Sequence, residues 1–367
     1  MSVNATTVAA GEALKVLEAG WEAQKAGGLM ASWMLHGRPG VGKTEVVQTL
    51  AHRIGAELFD LRLTTIEPQD LRGLPYFDHE AAKTIWYRPE DLPDTDAPAI
   101  LFLDELTAAA PALQPTVYGL LQERRVGRHR LPDSVMIIAA GNRIEDGAIA
   151  YDMGTALSDR LIHMIVQANP EDWLKHYAIP AGIHPAVAAF IRTRPDLLET
   201  TEDSLRRGQM IACTPRSWTR VSQIMHAIPD RATRSVMIAG TVGAAPAAEF
   251  ALLADEIAAT VQIDAMMETP RKDRVVMYPR TLHGLTALVY GMVGATTRAN
   301  LSTGIEILSD LRGLGGQGYG GLPVSELAAF GFEMLIGRAL EQGWEDVFAD
   351  SPDYAAYAAE RQAAGLP

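Results

Sequence analysis

Eight consecutive residues, Gly37-Arg38-Pro39-Gly40-Val41-Gly42-Lys43-Thr44, have the types and spacing needed to hold a polyphosphate. The glycines let backbone N–H groups turn inward around a β-phosphate, and a helix starting behind them adds its positive N-terminal end. Lys43 supplies a point charge for the β- and γ-phosphates, and the Thr44 hydroxyl can reach Mg²⁺. The run fits G-x-x-x-x-G-K-[ST] without a mismatch. Its flanks are the required ones, an apolar strand at Ala31–His36 and a helix with Val46, Val47, Leu50 and Ile54 on one face. ATP with Mg²⁺ is the expected ligand, on Gly37–Thr44 together with Asp104.

Two carboxylates close the run Ile100-Leu101-Phe102-Leu103-Asp104-Glu105. A buried strand ending this way puts Asp104 at the C-terminal edge of a parallel sheet, where the ligand crevice of such folds lies. Asp104 is the candidate Mg²⁺ ligand and Glu105 the candidate polariser of the attacking water. Solvated turn residues are the competing reading, which the P-loop upstream disfavours. A third strand ends Ile138-Ala139-Ala140-Gly141-Asn142-Arg143, and the Asn142 amide can orient a water beside the γ-phosphate.

These groups need a scaffold. The chain has 367 residues, 48% hydrophobic and 21% charged, enough for two or three globular domains. The segments Leu58–Leu63, Ala99–Leu106, Met136–Ala140 and Leu161–Val166 predict further strands, and Ala99–Leu106 is continuous enough to be buried on both faces of a parallel sheet. Leu74–Phe77 and Thr84–Tyr87 predict an inserted hairpin, and Val126–Leu131 a smaller one. After about Ala168 the pattern turns helical: Pro170–Tyr177, Pro185–Thr193, Pro215–Ile228, Ala247–Ala265, and a last helix from Pro323 to about Gln342 stopped by Gly343. The expected fold class is α/β, a P-loop NTPase αβα sandwich with a parallel sheet, followed by an α-helical lid and a helical C-terminal region. The expected domains are a leading helix in 1–29, a core in 30–168 with the hairpin near 74–87, a lid in 169–263 and an extension in 264–367. The last contains a glycine-rich connector at 313–321.

Composition excludes some functions. A net charge of −13 makes duplex nucleic acid a poor default partner. Cys213, the only cysteine, rules out an intramolecular disulfide and a thiolate-rich zinc site. Apolar runs are too short to span a bilayer and Met1–Gly11 does not read as a signal peptide, so a cytoplasmic protein without a membrane partner is expected. Arg124, Arg125, Arg128, His129 and Arg130 form a basic cluster, either a solvated hairpin or ion-pair face or a substrate contact. The aromatics Tyr76, Phe77, Trp86 and Tyr87 either hold the inserted hairpin together or touch a partner.

The P-loop, the Leu103-Asp104-Glu105 strand end and Asn142 resemble the AAA+ ATPases, and within them the MoxR-like group related to dynein-type modules. Pro68-Gln69-Asp70-Leu71-Arg72-Gly73 is similar to the segment that precedes that group's helix-2 insertion. Ala156-Leu157-Ser158-Asp159-Arg160-Leu161 is similar to its arginine-finger segment, and Thr214-Pro215-Arg216-Ser217 to its second sensor. The resemblance covers about 30–226 and departs at Leu161, where relatives often carry Phe. It implies a homo-oligomeric ring, usually hexameric, in which Arg160 reaches the neighbouring subunit's nucleotide and Arg216 touches the γ-phosphate. It implies chaperone-like remodelling of a protein partner, of a kind that often carries a von Willebrand factor A-type domain. For Arg160 the competing reading is an ion pair with Asp159 or Asp152, and for Arg216 a surface arginine. A nucleic-acid motor or loader and a nucleotide-dependent structural switch with weak hydrolysis are the alternative functions.

Overall fold

The computed structural model describes residues 3–143, 146, 158–316 and 318–363. The chain divides into two compact units. The first comprises Met1–Asn169, Glu199–Met210 and Thr214–Arg216, and the second Pro170–Leu198, Ile211–Cys213 and Ser217–Pro367.

The first unit is built on a six-stranded, all-parallel sheet. In chain order its strands are β1 (Thr7–Val8), β2 (Ser32–His36), β3 (Glu57–Arg62), β6 (Ala99–Asp104), β9 (Val135–Gly141) and β10 (Leu161–Val166). They lie in the order β1-β10-β2-β9-β6-β3. Side chains alternate across a strand, and β6 sends them to two separate cores. Ile100 and Phe102 pack with Leu17, Trp21, Val47 and Leu50 of helices α1 (Ala10–Lys25) and α2 (Lys43–Ile54). Leu101 and Leu103 pack on the other side with Leu71, Val117 and Leu120 of α3 (Pro68–Arg72) and α4 (Gln114–Glu123). Burial on both faces is why β6 and β9 read as unbroken apolar runs. The result is the expected αβα sandwich.

Both predicted hairpins form. The larger pairs β4 (Pro75–Asp78) with β5 (Lys83–Trp86), and the smaller pairs β7 (Arg125–Val126) with β8 (His129–Arg130).

The second unit is helical. Helix Pro185–Thr193 begins and ends as expected. The segment expected as one helix over Pro170–Tyr177 instead has a four-residue helix followed by a π-helical turn at Leu174–Ala178. The helix expected over Ala247–Ala265 starts earlier, at Ala244, and ends at Thr260, where Val261 turns to extended backbone; a separate short helix, Ile263–Glu268, follows. Helix Leu282–Ala295 is buried on nearly all sides. In the run read as a glycine-rich connector, Gly313 ends a helix and Tyr319 is buried, its hydroxyl donating to the Tyr278 carbonyl at 2.9 Å. No described helix is long and apolar enough to cross a membrane.

Candidate active site

Parallel strands bring three loops to one edge. His36 pairs with Gly141 across β2 and β9, and Arg62 with Asp104 across β3 and β6. The P-loop, Glu105 and Asn142 therefore all start at the C-terminal edge of the sheet, beside its topological switch.

The P-loop's glycines are there for backbone geometry. Gly40 and Gly42 have φ of 80° and 103°, in the left-handed region that glycine tolerates best. A Cβ on Gly37 would come within 2.4 Å of the Val166 carbonyl, and one on Gly40 within 2.9 Å of the Thr214 hydroxyl. Gly42 caps α2, so the motif delivers a helix N-terminus behind Lys43.

Lys43 is buried, and its ammonium donates to the carbonyls of Gly37 (2.5 Å) and Arg38 (3.0 Å) and to Asn142 Oδ1 (3.1 Å). Burial lowers its pKa to about 8; Asp104 and Asp146 act the other way, while Arg216 and Arg143 add to the lowering. A buried cation resting on neutral acceptors at a glycine-lined turn gains from an anion, so these residues fit the phosphates of ATP. Thr44 follows on the first turn of α2, half-buried, and Asp104 is half-buried at the end of β6. A hydroxyl and a carboxylate are hard oxygen donors of the kind Mg²⁺ takes.

Glu105 has left-handed backbone, φ 59°, although it is not glycine. Its N–H donates to Asp104 Oδ1 at 2.8 Å, and its carboxylate accepts from the Thr64 hydroxyl, with Arg62 at 4.0 Å. Thr64 follows the neighbouring strand, and no local pattern marks it. Asn142 is held through its carbonyl, which accepts from Thr107 at 2.9 Å. Beneath it Gly141 has no room for a Cβ, which would meet the Thr107 hydroxyl at 2.6 Å.

Arg216 is exposed, and its N–H donates to the Gly40 carbonyl at 3.3 Å, so the second-sensor segment meets the P-loop by its backbone. Arg160 is exposed immediately before β10, whose first residue pairs with Ser32 at the end of β2 opposite the P-loop. Ala156, Leu157 and Asp152 lie outside the described residues. Leu161, the departure from the family pattern, is buried in the core under α4.

Spacing could not reveal two further groups. Arg38 is clamped by Glu199 (2.5 Å) and Glu202 (2.7 Å), with Asp146 at 3.5 Å. Asp146, buried, also takes Arg143 at 2.8 Å. A second buried group starts at His36, whose Nε2 lies 2.8 Å from His163 Nδ1. Burial first, then His163, Arg143 and Lys43, push the His36 pKa down to about 4, with Asp146 opposing. Folded protein therefore binds fewer protons here than unfolded chain between the unfolded value of 6.5 and about 4. Stability is present above that window and lost as pH falls through it. Moving from pH 7 to pH 5 should cost about 2 kcal/mol through this group alone. His36→Gln, which cannot titrate, should show that much less acid sensitivity in urea midpoints; an unchanged pH dependence refutes the assignment.

The basic cluster resolves into parts. Arg124 is buried and donates to the carbonyls of Pro132 and Val135, which makes it a brace for the small hairpin. Arg125 pairs with Glu123 at 2.6 Å and Arg130 approaches Asp133 at 4.0 Å. The larger hairpin leaves Phe77 and Tyr87 65% and 61% exposed, while Arg72 covers the Trp86 ring at 4.6 Å.

The parallel αβα sandwich with its glycine-lined loop, buried lysine and strand-end carboxylates defines a P-loop NTPase core. Residues 32–161 match the family model of the AAA domain, dynein-related subfamily. The chain is similar to the ATPase family gene 2 protein homolog B of Mus musculus, 35% identical over 104 residues, which is 28% of this chain and 12% of that protein. The Bos taurus counterpart is 34% identical over 104 residues, 28% of this chain and 11% of the relative. The chain thus spans only about an eighth of the length of these curated relatives. Among solved structures it is similar to the Thermotoga maritima RuvB Holliday junction branch migration motor, at 15% identity and a TM-score of 0.39, over 77% of this chain and 81% of that one. A likeness at that score adds nothing to the topology already described.

Proposed function

We propose that this chain is an Mg-ATP-dependent ATPase of the MoxR-like type that works as a hexameric ring and remodels or activates a protein partner. The convergence of Lys43 on Asn142 Oδ1, 3.1 Å apart and beside Asp104, carries the reading. Gly37, Arg38, Pro39, Gly40, Val41, Gly42, Lys43 and Thr44 would wrap the phosphates, and Thr44 and Asp104 would hold Mg²⁺. The metal would supply charge neutralisation at the transferred phosphoryl group. Glu105 would polarise the attacking water, Asn142 would orient it, Arg216 would meet the γ-phosphate, and Arg160 would serve the neighbouring subunit's site.

Protein is favoured over nucleic acid as the partner by three features: the net charge of −13, the partial neutralisation of the basic hairpin by Glu123 and Asp133, and the exposed aromatics of the larger hairpin. ATP turnover should change less than about twofold on adding single- or double-stranded DNA or RNA at physiological salt, where phosphate-driven binding is already weakened. It should rise with a partner protein carrying a von Willebrand factor A-type domain, and Phe77→Ser with Tyr87→Ser should abolish that rise while sparing basal turnover. Strong, salt-sensitive stimulation by nucleic acid, lost when Arg128 and Arg130 are neutralised, would establish the motor instead.

A further inference from the structure

His36 is the last residue of β2 and the one that leads into Gly37. His163 lies on the adjacent parallel strand, where the residue paired with His36 is Ile165. Two positions along a strand return to the same face, so the two imidazoles are diagonal neighbours on one side of the sheet. Their ring planes are 15° apart with centroids 5.1 Å apart, and the N···N line is 2.8 Å. That line is too short for rings lying face to face, so the rings meet edge to edge through a hydrogen bond. The second nitrogen of His163 lies 2.9 Å from the Ser158 carbonyl oxygen. A carbonyl only accepts, so His163 Nε2 carries the proton there. With both rings neutral, His163 Nδ1 is then the acceptor and His36 Nε2 the donor. The proton order runs one way, from the end of the P-loop strand to a carbonyl two residues before Arg160.

An apolar pair would fill this layer without the desolvation that drives the His36 pKa to about 4. The hydrogen bonds instead fix the geometry of one segment against another. We infer that His36 and His163 are positioning residues that set the Arg160 segment against the P-loop of its own subunit, so that the arginine lent to the neighbour is aimed from the lender's nucleotide site. This rests on the proposed role of Arg160 across a subunit boundary.

The test separates lender from recipient. Glu105→Gln subunits lend an intact Arg160 and do not hydrolyse; Arg160→Ala subunits keep Glu105 and lend nothing. In a mixture, turnover returns only where the first kind lends to the second. Adding His163→Phe to the lender should cut the returned turnover at least about tenfold, since misplacing a catalytic group by about 1 Å costs up to about 10²-fold. The same change in the recipient should leave turnover within about twofold by that argument, because its own arginine is already gone. His36→Gln in the lender, which keeps an N–H near Nε2, should retain turnover, and His36→Phe should lose it. This second pair carries the comparison if His163→Phe fails to assemble. Binding of a fluorescent ATP analogue to the lender should be unchanged throughout. Equal losses in lender and recipient, or no loss in the lender, would overturn the inference. No returned turnover in the unmodified mixture would overturn the trans role of Arg160, and the relay's role with it.

Discussion

Glu105→Gln should bind ATP as tightly as the wild type and turn it over about 10²–10⁴-fold more slowly, the usual range for loss of a positioned general base. Glutamine keeps the shape of the side chain and an oxygen to accept from Thr64, while losing the charge proposed to polarise water. Asp104 and Thr44, the proposed metal ligands, are untouched. Lys43→Ala should fail at the earlier step. It removes the buried ammonium that joins the Gly37 and Arg38 carbonyls to Asn142, and with it the charge facing the phosphates. Titration with a fluorescent ATP analogue and release of inorganic phosphate separate the two outcomes. Equal affinity and equal turnover in wild type and both variants would sink the site assignment.

Arg160→Ala should be slower than wild type by about 10³–10⁵-fold, the effect of an arginine finger in other phosphoryl-transfer systems. Arg160 is exposed immediately before β10, whose first residue pairs with Ser32 at the end of β2 opposite the P-loop, which suits a residue acting on a neighbour. The loss should appear in turnover and not in ATP affinity, because transition-state charge is what the guanidinium would stabilise. Mass measurement with ATP should show a closed oligomer. A strictly monomeric protein with full activity would refute the trans role.

Local signals made most of the nucleotide core legible. The P-loop is contiguous, β6 and β9 are apolar on both faces and β10 is apolar but for His163, so their ends could be read within a residue or two. Glu199 and Glu202 gave no such signal, because they reach Arg38 from 161 and 164 residues away. The His36–His163 contact is likewise tertiary. In the second unit, helices Arg231–Val242 and Leu301–Gly313 went unread. So did Leu282–Ala295, which is buried nearly all round and therefore has no polar stripe, and whose glycines at 284, 291 and 294 argue locally against a helix. The π-helical turn after Trp173 also has no sequence signature that periodicity could find.

The left-handed backbone of Glu105 ties heat resistance and turnover to one codon. An L-residue with a Cβ costs roughly 1–2 kcal/mol in that conformation, and glycine relieves it at once. Single substitutions that improve folding are uncommon in most positions of a protein. At position 105 one is always within reach, and it removes the carboxylate proposed to polarise water. A lineage or laboratory library selected only for surviving heat will therefore drift toward glycine there and lose catalysis while its fold improves.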